Sequence, residues 1–96
     1  MKLSKLTPEQ VARYLRLDEE ALAEDIQPRL LLKAAKSYIR GFTGLSDEEI
    51  DQHEDLTLAA LVLCAEFYEN RTLSVDAAHQ NRAVDAILSM YRTNLL

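Results

Sequence analysis

Leu56 to Tyr68 reads LTLAALVLCAEFY, a run of 13 residues that contains Thr57 and Glu66 and is otherwise dominated by apolar side chains. A bilayer span needs about 20 consecutive apolar residues, so this run is too short to be one. Apolar side chains fall on nearly every face when it is wound as a helix, which marks a central element that others pack around. A helix over about 56–71 is therefore expected, capped at its start by Asp55. Cys64 lies inside this run and is the only cysteine, so it reads as a small buried hydrophobe with no disulfide.

The rest of the chain agrees with a helical core. It has 96 residues, 48% hydrophobic, with two glycines and two prolines. One domain over 1–96 is expected, burying about 60–65% of the surface its unfolded chain exposes. Upstream, Thr7-Pro8-Glu9-Gln10 is a helix start: Thr7 as N-cap, Pro8 in the first turn, Gln10 closing a capping box. Val11, Tyr14 and Leu15 give helix 8–16 its apolar face. Asp18 opens the next helix, with Leu22, Ile26, Leu30, Ala34, Tyr38 and Phe42 recurring every fourth residue to about 42. Pro28 falls inside this period. The phase continues through it, so a kink near Pro28 is expected within one helix over 19–42.

Both glycines stand at the end of that helix, in KSYIRGFTGLSDEEI (Lys36 to Ile50). A G-x-x-G pair behind Lys36 and Arg40 could clamp a nucleic-acid backbone, as in KH domains, but those set the loop against a sheet. Here Asp47, Glu48 and Glu49 follow at once and would repel phosphate. Gly44 stands where a helix-ending glycine belongs, and Gly41 one turn earlier either admits another backbone or frays the end. Ser46 to Glu49 is a second capping box, opening a turn over 47–52. Downstream of the core run, a last helix is expected over about 77–92, with Ala83, Val84, Ile87, Leu88 and Tyr91 on one face, and a tail over 93–96. The fold class is all-α: four main helices plus one extra turn.

Charge is segregated. Arg29, Lys33, Lys36 and Arg40 fall at spacings of four, three and four, on one helical face. Asp47, Glu48, Glu49, Asp51, Glu54 and Asp55 crowd the turn that follows, without the ligand spacing and glycine of a calcium loop. His53 and His79 lack zinc-type partners, and no residue pattern points to catalysis, a cofactor or a metal. Net charge is −5, unlike a free-standing nucleic-acid binder. Residues 6–26 resemble the opening of excisionase-type helix-turn-helix domains. That makes a DNA-binding regulator the alternative function, although its second helix begins Asp18-Glu19-Glu20, against phosphate. MKLSKLTPEQ has no apolar stretch of the secretory kind, and an intracellular chain is expected.

Four pieces in fixed order carry a further resemblance: AAKSYIRGFTG (34–44), LSDEEID (45–51), EFYENRTL (66–73) and AVDAILSMYRTNLL (83–96). Together they resemble small head–tail connector, or head-completion, proteins of long-tailed bacteriophages and prophages, over about residues 5–96. Pro28 departs from the pattern, in which that helix runs unbroken. The resemblance implies a non-enzymatic virion protein, made in the bacterial cytoplasm and placed at the head–tail junction. It implies a homo-oligomeric ring under the portal protein that extends the DNA channel and docks the next tail-joining protein. DNA would pass without sequence-specific binding, and no membrane is involved. On that basis Arg29, Lys33, Lys36 and Arg40 are expected to meet Asp47, Glu48, Asp51 and Glu54 of a neighbouring subunit. Asn94, Leu95 and Leu96 are the expected portal contact.

Overall fold

The computed structural model describes residues 1–22, 27–70 and 82–91. All regular structure among them is helical: a 3₁₀ turn at Leu3–Lys5, then α1 (Pro8–Leu15), α2 (Glu19–Leu22), α3 (Pro28–Thr43), α4 (Asp47–Ile50), α5 (Glu54–Glu69) and α6 (Arg82–Ser89). The all-α bundle expected from the sequence is what forms.

α5 is the centre. Its side chains at Leu56, Ala59, Ala60, Leu63, Cys64 and Phe67 are buried, and α3 makes the largest helix–helix contact with it. α3 supplies Leu31, Leu32, Ala35 and Ile39, α1 supplies Val11, α4 supplies Ile50, and α6 supplies Val84 and Leu88. Each fully buried Leu, Ile or Phe contributes about 1.5–3 kcal/mol against leaving it in water. Burial also pushes the Cys64 thiol up to about 12, so it stays protonated and unreactive at neutral pH.

Local signals set most boundaries. Thr7 accepts from the Gln10 N–H while the Gln10 side chain accepts from the Thr7 N–H, closing the box that opens α1. Ser46 and Glu49 do the same for α4. Asp18 accepts from the Ala21 N–H at 2.9 Å and caps α2. Gly44 takes φ 75° and ψ 7° immediately after α3, where a side chain would be strained, and its N–H returns to the Arg40 carbonyl at 2.9 Å.

Four expectations are corrected. Pro28 does not kink a continuous helix. Gln27 is extended (φ −91°, ψ 151°) and Pro28 occupies the first turn of a new helix, α3. The proline ring excludes the residue before it from the helical region, and that outweighs the continuing apolar phase. Asp55 does not cap α5. The helix starts at Glu54 with His53 as the flanking residue, and the Asp55 carboxylate instead accepts from the Tyr91 hydroxyl at 2.6 Å. The last helix ends at Ser89, three residues early, because the Met90 and Tyr91 N–H groups close tighter bonds to Ile87 and Leu88. α1 likewise stops at Leu15, with Arg16 left-handed at φ 57°. The start expected near 77 and the tail 93–96, with Asn94, Leu95 and Leu96, lie outside the described residues.

The N-terminal strap was not anticipated. Leu3 and Leu6 insert into the core beside α5, and polar bonds hold the backbone around them. The Ser4 N–H donates to Asp51 Oδ1 at 3.0 Å and its hydroxyl to Oδ2 at 2.6 Å. Thr57 Oγ1 donates to the Met1 carbonyl at 2.6 Å. The spacing of Leu3 and Leu6 was the available signal.

Candidate functional site: the two outer helix faces

The charged residues singled out from sequence lie around α3 and α4. Arg29, Lys33 and Arg40 are exposed on the outer side of α3, and Lys36 is half-buried beside them. Asp47, Glu48 and Glu54 are exposed, and Asp51 is half-buried. Both charge signs therefore reach solvent, but they are not all left for a neighbour. Arg40 Nη1 stands 3.3 Å from Asp47 Oδ1 within the same chain. Glu54 Oε1 lies 3.4 Å from the Met1 amino nitrogen. Exposed pairs of this kind are worth about 0–1 kcal/mol, so they can exchange for intermolecular partners.

Lys36, Arg40, Asp47 and Asp51 converge with Ser4 on a shallow cleft floored by Leu3 and Ile50. The two Ser4 hydrogen bonds, with a smaller contribution from Lys2 and Lys36, hold the Asp51 carboxyl below its ordinary range. The bonds to Ser46 act the same way on Glu49. A depressed carboxyl contributes stability above its unfolded value and loses it as pH falls through the folded value. The strap and α4 are expected to loosen below about pH 4, where unfolded Asp and Glu titrate. Amide exchange at Ser4 and Glu49 between pH 5 and 3 measures this. Asp51→Ala, which removes the acceptor, is expected to free Ser4 already at pH 7 while leaving Glu49 protected.

Gly41 belongs to the exposed side of α3 and is helical. A Cβ built there would meet nothing within 4 Å. A glycine inside a helix costs about 0.5–1 kcal/mol relative to alanine, and no contact among the described residues requires it. Gly41→Ala is expected to raise the stability of the monomer by about 0.5–1 kcal/mol, read as a rise in thermal midpoint.

α6 lies antiparallel along α5, since Tyr91 reaches back to Asp55 and its ring meets His53 with centroids 4.2 Å apart. On the other flank of α6, Asp85 faces α3. Burial first, and then the Asp85 charge, hold the Tyr38 phenol above its ordinary range. His53 is thus half-buried packing material, while His79 falls outside the described residues. Among the described residues, no three His, Cys, Asp or Glu side chains come together as a metal site, and no helix is long and apolar enough to cross a membrane.

Sequence reasoning missed the outer side of α5. Leu58, one turn into the helix, is 50% exposed, with Leu61, Val62 and Ala65 only partly covered. The signal was present, because a run apolar on all faces cannot bury every face in a bundle of this size. Comparison with known proteins adds no relative: no family model, curated protein or solved structure matches the chain.

Proposed function

We propose that the chain is a non-enzymatic assembly subunit, a head–tail connector that forms a ring under a phage portal, lengthens the DNA channel and docks the next joining protein. The resemblance of 34–51, 66–73 and 83–96 to that family motivates the assignment. The structural observation that supports it is the exposed basic outer side of α3, with Arg29, Lys33 and Arg40, which offers a charged face for repeated contacts between identical subunits. The acidic balance of −5 also suits a conduit that must not grip the DNA it passes.

A reader helix for DNA would have to be α2, whose described residues Glu19–Leu22 open with exposed Glu19 and Glu20. Those carboxylates would face phosphates, which disfavours the regulator alternative.

Negative-stain microscopy of the protein with and without its portal tests the assignment. An added ring of density under the portal is expected. A chain that leaves the portal unchanged, or that shifts duplex DNA in a low-salt mobility assay, would overturn it. Since Arg40 already has Asp47, Arg29 and Lys33 are the better positions for charge reversal. Arg29→Glu with Lys33→Glu is expected to abolish ring density while the helical circular dichroism stays as in the wild type.

A further inference from the structure

Two helix faces are exposed among the described residues, and they are opposites. α3 and α5 bury the sides that face each other, so their outer sides look in opposite directions. On the outer side of α5, Leu58, Leu61, Val62 and Ala65 form one stripe by helical spacing, and exposed Glu54 and Glu69 close its two ends. On the outer side of α3, exposed Ser37 and open Gly41 make a low surface flanked by Arg29, Lys33 and Arg40.

The two are complementary in sign. One is a partly exposed apolar stripe with an acid near each end, about 22 Å apart at 1.5 Å per residue. The other is a flat strip whose cations span about 16 Å on the same measure. Leu58 leaves half its side chain in water and a Cβ at Gly41 would meet nothing within 4 Å; a close-packed neighbour accounts for both.

We propose that the outer side of α5 of one copy seats on the outer side of α3 of the next, Leu58 lying over Ser37 and Gly41, with Glu54 and Glu69 meeting the α3 cations. This deepens the proposed function and rests on its self-assembly component. The contact joins two different faces, so it repeats head to tail and closes into a ring or runs on as a filament. It replaces α4 as the acidic half of the contact, with Glu54 and Arg40 exchanging their weak internal partners, the Met1 amino group and Asp47, for it.

Cysteine cross-linking tests it directly. Leu58→Cys with Ser37→Cys in one chain is expected to give a ladder of covalent oligomers under a mild oxidant, while either single variant stays largely monomeric. Cys64 is buried and does not take part. A double variant with no ladder, or a Leu58→Cys single variant that dimerises as readily, overturns the assignment.

A second test avoids new cysteines. Glu54→Lys/Glu69→Lys chains and Arg29→Glu/Lys33→Glu chains are each expected to associate at least 10-fold more weakly than wild type in sedimentation. An equimolar mixture is expected to recover association, and a mixture that does not overturns the pairing. Rings on the portal that form normally with Leu58→Asp would overturn this face assignment and leave the connector role standing. A chain that never self-associates, with or without portal, would overturn both.

Discussion

Replacing Phe67 with alanine is expected to lower the stability of the fold by about 3–5 kcal/mol. Phe67 is 1% exposed and the largest side chain wholly inside the core, on the face of α5 that the other helices cover. Truncation removes its transfer free energy and leaves a cavity whose walls, Cα positions of packed helices, relax only in part. A domain of this size has about 5–15 kcal/mol to lose, so the effect is a large share of the total. At about 4–8 °C per kcal/mol, the thermal midpoint should fall by at least about 12 °C. Leu58→Ala, on the same helix but half exposed, is the control and should stay within about 1 kcal/mol. Equal losses at the two positions would mean that α5 does not stand at the centre of the bundle.

Thr43→Val is expected to cost about 1–3 kcal/mol although it conserves volume. Thr43 is fully buried at the end of α3. Its hydroxyl donates to the Ile39 carbonyl at 2.7 Å and accepts from the Leu45 N–H at 3.2 Å. Valine fills the same space but strands the Leu45 N–H just beyond Gly44, where the chain reverses toward α4. Thr43→Ser keeps both bonds and should recover most of the loss. Urea midpoints of the three proteins, with amide exchange at Leu45, separate the polar contribution from packing. A valine variant as stable as wild type would show that the hydroxyl does not hold this turn.

What was legible in the sequence was short-range. Thr7 with Gln10, Ser46 with Glu49, and Gly44 after Phe42 each act over a few residues, and each formed as the spacing implied. The break at Gln27 was misjudged because apolar periodicity counts side chains and is blind to the backbone restriction that a proline places on the residue before it. The bonds of Tyr91 to Asp55, Ser4 to Asp51 and Thr57 to Met1 span 36, 47 and 56 residues. No local pattern announces such pairs, and the first of them is why Asp55 reads as a cap and serves as an acceptor. At the candidate site, the basic face of α3 was legible from its spacing. Its internal pairing with Asp47 was not, because the turn at Gly44 decides which residues Arg40 can reach.

The strap built from Leu3, Ser4 and Leu6 has a consequence for the order of events during synthesis. It is made about 50 residues ahead of the groups that receive it, Asp51 and Thr57. At about 5–20 residues per second, the two leucines wait roughly 3–10 s for a surface to bury them. Through that interval the nascent chain carries Leu3 and Leu6, both buried in the finished fold, without the surface that covers them.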